Sequence, residues 1–419
     1  MRLLKFAAVS ALSLTAALAL TACGQGSATK QAAAPAGKSV VRYMNFSSND
    51  GHEKDLTAIV NAFQAANPDI TVQVETVPYA DYFTKLQTAV AGGTAADAFE
   101  LNYENFVTYA SNGSLAELKN ADSSAYKKTL YDAFNSGGKQ YGVPESFSNV
   151  VLFYNKAMFK QAGVAEPTAD WTWKDEQAAA AKLTNKATKT WGDYQPVSYN
   201  EFYKVLAQNG GEFLNADRTE ATFNSPQGVE AAKFLVGKVG KTMPTEADGA
   251  GTPDFDSKLF KSGKLAMWHT GIWMFSALDD VKFDWDVVVE PGNTQKASAM
   301  FANGLVVNAA SKNADAAQKW ITYLASSDET TKTRLASSWE LPPVADETKL
   351  KSYLDQPKPA NREAVFTALE APVLPPVIER QQEMQDAVTQ ELTAAAAGRK
   401  TVEKALADAQ SKVNGLLKK

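Results

Sequence analysis

Residues 40–46 (Val40-Val41-Arg42-Tyr43-Met44-Asn45-Phe46), 56–63 (Leu56 to Phe63) and 70–75 (Ile70-Thr71-Val72-Gln73-Val74-Glu75) decide the fold class, because the hydrophobic period changes from one run to the next. The first run reads as a strand. In the second, Leu56, Ile59, Val60 and Phe63 recur at helical spacing until Asn67-Pro68 ends the pattern. Ile70, Val72 and Val74 then alternate with polar residues, the period of a half-buried strand. Tyr82, Phe83, Leu86, Ala89 and Val90 return to helical spacing, closed by Gly92-Gly93, and Asp97 to Asn102 gives a third short strand. The order βαβαβ predicts an α/β body with a parallel or mixed sheet covered by helices.

Further along, Tyr141-Gly142-Val143-Pro144 leads into a strand-like run from Val150 to Tyr154, where the chain is expected to pass from one lobe to another. Trp171-Thr172-Trp173 opens an Ala-rich helix, a second helix covers Phe202 to Gln208, and Gly210-Gly211 turns the chain, which together predict a second α/β layer. Towards the C-terminus Met384, Val388 and Leu392 lie four apart, and Val402, Ala405 and Leu406 resume helical spacing after Gly398. No internal repeat is visible.

The N-terminus carries an address. Arg2 and Lys5 precede an uncharged apolar run from Phe6 to Leu20, and Leu20-Thr21-Ala22-Cys23 follows; this is an export signal, with an apolar run too short to span a bilayer comfortably. Cys23 is the sole cysteine of 419 residues, so it has no disulfide partner, and its position resembles the lipidated cysteine of bacterial lipoproteins. An ordinary soluble export signal with a chance cysteine is the alternative. Residues 1–22 are therefore read as signal peptide and 23–38 as a lipid-anchored flexible linker, since Gly24 to Lys38 holds no aromatic or large aliphatic residue. As a random coil that leash spans about 20 Å. Removing Arg2 and Lys5 with the signal leaves 40 of the 42 basic residues against 47 acids, a formal charge of −7. Such a balance, with no Lys/Arg-rich run, argues against a nucleic-acid partner. Nearly 400 residues exceed the size at which single cores stop growing, so two lobes are expected.

Catalytic chemistry has few footholds. His52 and His269 are the only histidines, with no HExxH or similar ligand spacing, so no metal or cofactor is expected. Gly240-Lys241-Thr242 looks like the end of a phosphate loop, but Leu235 stands where its first glycine belongs. No G-x-S-x-G elbow is present. Asp279, Asp280, Asp284 and Asp286 lack calcium-loop spacing and read as a solvated loop. A glycosidase's paired carboxylates are spatial rather than sequential neighbours, which keeps an exported carbohydrate-active hydrolase open as an alternative.

Several blocks resemble the family 1 extracellular solute-binding proteins, the maltose-binding-protein-like sugar-binding lipoproteins of ABC importers. They run from Gly137 through Gly142-Val143-Pro144 to Tyr154-Asn155-Lys156, Phe159 and Ala162-Gly163. They continue with Phe223-Asn224-Ser225-Pro226, Phe260 to Met267, Gly271-Ile272-Trp273, Ser311-Lys312-Asn313 and Gly398 to Gln410, in the family's order. Ile272 departs from a proline common in relatives, and Leu101 stands near a pocket aromatic of the maltose binder, with Tyr103 close by. The resemblance implies a type II periplasmic-binding-protein fold: two hinge-linked lobes with a ligand cleft between them. Residues 39–148 plus 304–357 would form the first lobe and 149–303 plus 358–419 the second, with crossovers near Ser146 to Val151, Phe301 to Leu305 and Asp355 to Asn361.

A sugar offers apolar C–H faces and rings of hydroxyls, so its site needs flat aromatics together with amides or carboxylates. All eight tryptophans lie after position 170. Trp273 follows a glycine turn and coincides with a family pocket aromatic, so it is the leading stacking residue, with Trp268 and Gly271 beside it. Trp339 precedes Leu341-Pro342-Pro343 in a loop that can reach the cleft. Trp320 shares a helical face with Ala317, Ile321 and Leu324 and is assigned to the core, as are Trp171 and Trp173 to structural positions. Polar candidates stand at strand ends and crossovers: Asn45, Ser47, Asn102, Tyr103, Glu145, Ser148 and Asn303. Tyr199 and Asn200 open a helix where the family places a ligand aromatic. Isolated Asn or Ser in turns can equally serve the local backbone.

The sequence thus reads as a non-enzymatic, extracytoplasmic binding lipoprotein. It would capture a di- or oligosaccharide by lobe closure and deliver it to the transmembrane subunits of an ABC permease. A monomer is expected, exported and held by lipid on Cys23 at the outer face of the cell membrane, or on the periplasmic side in a two-membrane host. A binder of the same fold for a non-sugar solute, or a sensor or adhesin, remains an alternative.

Overall fold

A computed structural model describes residues 38–418, save positions 50, 51, 251, 253 and 338. The signal, Cys23 and the linker up to residue 37 lie outside the described residues. Ten strands are formed: β1 (Ser39–Asn45), β2 (Ile70–Thr76), β3 (Ala98–Asn102), the hairpin of β4 (Asn135–Ser136) and β5 (Lys139–Gln140), β6 (Gly142–Asn155), β7 (Met267–Gly271), β8 (Trp285–Val288), β9 (Ser298–Val307) and β10 (Pro372–Val373). Apart from the hairpin they make one curled sheet in the order β2-β1-β3-β9-β6-β7, with β8 also on β6 and β10 also on β9. β1 is parallel to β2 and β3, whereas β9 runs antiparallel to β3 and β6, so the sheet is mixed.

The run that opened the reading folds as read, with helix Glu53–Ala66 between β1 and β2 and helix Tyr79–Ala91 between β2 and β3. Leu56, Ile59, Val60 and Phe63 are buried together with Val41, Tyr43 and Trp320 in one core. A second core joins Phe202 and Leu206 of helix Tyr199–Gln208 to Met384, Val388 and Leu392 of helix Gln381–Ala396 and Leu406 and Val413 of helix Val402–Leu417.

β6 positions the site. Its residues 142–149 pair with β9, and from Val150 onward it pairs with β7 and β8 instead. One strand therefore belongs to two halves of the sheet. Its register on β9 slips between Pro144 and Ser146, a bulge at Glu145 that bends the strand and re-aims that side chain. Gly304, opposite Pro144, lies against the ring of Phe134 where a Cβ would not fit.

Candidate functional site

Among the described residues, Val74, Tyr79 and Trp273 are the exposed large hydrophobics, and the latter two stand at the ends of strands β2 and β7. Trp273 sits in the single 3-10 turn Ile272–Met274 with 53% of its surface exposed, and its ring meets Phe301 edge to face at 5.8 Å. An exposed indole braced by a second ring is a ready stacking plate for an apolar face. Gly271 is its seat, because a Cβ there would overlap the six-membered ring of Trp273. We therefore expect Gly271→Ala to lower ligand affinity roughly tenfold or more by tilting the indole, with little change in unfolding midpoint. Calorimetric titration beside a urea melt checks this; unchanged affinity would mean the indole is not held by its seat.

Trp273 lines a cavity of about 440 Å³, a size that suits a small-molecule ligand. Ile272 and Phe275 continue its wall, Phe147 and Ser148 come from β6, and Ser47, His52, Trp339 and Glu340 face them. Arg362, Tyr353 and Gln356 line it as well. Trp339 is fixed rather than free: its Nε1 donates to the Ser47 carbonyl at 2.9 Å, His52 stacks on it at 5.1 Å, and the Arg334 guanidinium lies 4.1 Å from its ring. Glu340 accepts from Ser146 Oγ and, at 3.0 and 3.2 Å, from Asn303 Nδ2, so side chains of β6 and β9 orient its carboxylate. Arg362 lies over Tyr353 and Phe275, donates through Nη2 to the Lys358 carbonyl, and keeps a buried Nε–H without a partner. The cavity thus combines aromatic surface with a carboxylate acceptor and guanidinium donors.

Of the residues expected at a site, Ser47, Ser148, Trp273 and Trp339 line this cavity, Asn303 acts through Glu340, and Gly271 acts through Trp273. The others lie elsewhere. Asn45 is buried, donating to Thr76 Oγ1 and accepting from Ser48. Asn102 caps helix Tyr103–Ser111 by accepting from the Asn105 amide at 3.1 Å, while its Nδ2 donates to Tyr79 Oη at 3.2 Å. Tyr103 packs into the core, and Glu145 is 1% exposed and paired with Arg334. Tyr199 donates to the Pro376 carbonyl at 2.6 Å, and its neighbour Asn200 is exposed away from the cavity lining. Trp268 is 1% exposed, with Nε1 donating to Asp256 at 3.1 Å, in a strand whose first three residues are all buried. Glu340 and Arg362 line the cavity without having been singled out from the sequence. Tyr79 is exposed beyond the end of β2 but does not line this cavity.

His269 belongs to a buried ring of charge. Its Nδ1 faces Glu290 at 2.7 Å and its Nε2 faces Glu176 and Asp193 at 3.3 and 3.4 Å. Lys238 binds Glu176, Asp193 and Gln195; Gln195 donates to Glu201; and Lys204 joins Glu201 to Glu290. Burial alone would lower the His269 pKa, but Glu176 and Asp193 hold it well above the ordinary value. Burial opposes and Lys238 and His269 prevail at Asp193, whose pKa is lowered. These carboxylates and His269 have the spacing of metal ligands, yet ammonium groups already serve them. Of the acidic loop, Asp279 reaches the cavity, Asp284 faces Lys358, and Asp286 accepts from the Asn361 amide, so they do not converge.

The family model for bacterial extracellular solute-binding proteins matches residues 58–364. An ABC substrate-binding protein of Listeria monocytogenes, solved in complex with cycloalternan, is 48% identical. It superposes with a TM-score of 0.80 over 90% of this chain and 98% of that one. A maltooligosaccharide ABC transporter solute-binding lipoprotein of Streptococcus pneumoniae is 27% identical over 78% of both chains. UspC of M. tuberculosis, at 24% identity, shares the fold with a TM-score of 0.78 over 90% of this chain and all of that one. Among the described residues no helix is long and apolar enough to cross a membrane. With its mixed α/β body and its two-lobe relatives, the chain belongs to the bacterial extracellular solute-binding protein family.

Proposed function

We propose that this chain captures a neutral oligosaccharide outside the cytoplasm and hands it, unaltered, to the transmembrane subunits of an ABC importer. Cycloalternan and maltooligosaccharides are the first ligands to try. The observation that carries the reading is Trp273: an exposed indole, seated on Gly271 and braced by Phe301, on the wall of a cavity that also presents Glu340 and Arg362. The indole would take a sugar's C–H face while carboxylate and guanidinium take its hydroxyls. Ser47 and Ser148 complete the proposed contacts, with Asn303 holding Glu340 in place.

Lobes of residues 39–148 plus 304–357 and 149–303 plus 358–419 would close on the solute, so that the permease distinguishes loaded from empty by shape. Lipid on Cys23 would tether a monomer to the outer face of the cell membrane, the periplasmic side in a two-membrane host, through its linker. Micromolar affinity, about −8 kcal/mol, suits capture followed by release. A thermal-shift screen of residues 38–419 against neutral mono- and oligosaccharides, polyols and charged solutes tests the ligand class. A rise specific to oligosaccharides is expected; a rise with charged solutes alone would discard the carbohydrate reading and keep the fold.

A further inference from the structure

Three carboxylates and one guanidinium meet where β6 bulges. Glu100, on β3, is 0% exposed and its Oε2 accepts from the amides of Phe46 and Ser47, both at 3.0 Å. Glu145, at the bulge, gives Oε1 to Arg334 Nη2. Glu340 stands nearby, held by Ser146 and Asn303. Tyr43 from β1 and Tyr82 from helix Tyr79–Ala91 also face the pair, and His52 reaches it only through Trp339. Among the described residues Arg334 is the cation paired with these three acids, two of them fully buried, an imbalance a dry interior does not tolerate.

Two oxygens identify the remedy. Glu100 Oε1 and Glu145 Oε2 have no hydrogen-bond partner in the structure, although the two carboxyls lie within hydrogen-bonding reach of each other; the Tyr43 hydroxyl beside them is unpartnered too. A proton between them satisfies both atoms and, unlike a bond from the Tyr43 hydroxyl, removes one charge. We propose that Glu100 and Glu145 hold one proton between them and act as positioning residues for the cleft, so that solute binding is linked to that proton. The geometry puts the proton on Glu100, since Arg334 favours an ionised Glu145. Burial, then the charges of Glu145 and Glu340, raise Glu100 well above the usual carboxylate range, and burial lifts Glu145 to about 7 despite Arg334.

The position gives the proton its consequence. Glu100 holds the backbone of Ser47, whose carbonyl anchors Trp339; Arg334 stacks on Trp339; and Glu145 lies on the strand shared by both halves of the sheet. Loss of the proton would set two anions against each other between the cleft wall and that strand. A group whose folded pKa is raised contributes stability below its unfolded pKa and loses it as pH rises through the folded value. The tied form therefore weakens towards alkaline pH.

Glu100→Gln tests this, because the amide oxygen can accept from Phe46 and Ser47 while its N–H donates to Glu145 with no proton to lose. In ligand-free protein carrying isotope-labelled glutamate, wild type should give a protonated-carboxyl C=O infrared band at neutral pH that Glu100→Gln lacks. Wild-type affinity for cycloalternan should then fall by up to tenfold per pH unit on the alkaline side, and that of Glu100→Gln should stay flat. Absence of the wild-type band overturns the proposal, whether or not the variant folds, and so does a band that survives in a folded variant. A band without any pH dependence of affinity keeps the shared proton and overturns its link to binding. The link rests on the solute-binding function above, but the infrared band does not, so failure to bind sugar is distinguishable from failure of the proton.

Discussion

Replacing Trp273 by alanine is expected to weaken oligosaccharide binding by about 2–3 kcal/mol, roughly 30- to 150-fold, while leaving the unfolding midpoint nearly unchanged. The magnitude follows from the area: an indole buries about 150–250 Å² when fully covered, and about half of this one is open to a ligand. The small stability effect follows from the same exposure, since a half-solvated ring contributes little to the core beyond its contact with Phe301. Phenylalanine at the same position should recover part of the affinity by keeping a flat face. Titration calorimetry of wild type and both variants reads the effect. Equal affinity for wild type and alanine would remove Trp273 from the binding surface and with it the observation on which the carbohydrate reading leans.

Lys238→Met should cost about 3–5 kcal/mol of folding stability at neutral pH, read by urea denaturation. Lys238 is 3% exposed and serves Glu176, Asp193 and Gln195 at once, so methionine would fill its space while leaving two buried carboxylates without their ammonium. The pH dependence fixes the cause. Asp193 has a lowered folded pKa, so its contribution in wild type is present above the ordinary aspartate range and is lost as pH falls through the folded value. The variant lacks the Lys238 share of that contribution and keeps only the share of His269, and its buried acids can protonate. The gap between the two proteins should therefore narrow in acid. A loss below about 1 kcal/mol, or one independent of pH, would mean that the ring is not held together by charge.

The sequence revealed different things at different ranges. Helix Glu53–Ala66 and strands β1 to β3 were legible because their hydrophobic period is local and each face is buried continuously. Trp320 was placed in the core for the same reason, and it is fully buried. The buried ring was not legible: Lys204 reads as a surface lysine of an amphipathic helix, and its partner Glu290 is far away in the chain. Glu145 stood at a crossover and promised a ligand contact, but a one-residue bulge turned it to Arg334, and no residue type announces such a slip. Trp268 and Trp273 are five positions apart and met opposite fates, one inside a strand and one beyond its end on a glycine seat. Strand ends were a mixed guide: they led to Ser47 and Trp273, which line the cavity, and to Asn45, Asn102 and Tyr103, which do not.

The most direct test of the account is a calorimetric titration of residues 38–419 with cycloalternan, followed by recovery and analysis of the sugar. One site of micromolar affinity, with the sugar recovered intact, is the result expected of a capturing protein. Absence of binding across cycloalternan and the maltooligosaccharides, or steady conversion of the sugar by the pure protein, would contradict it.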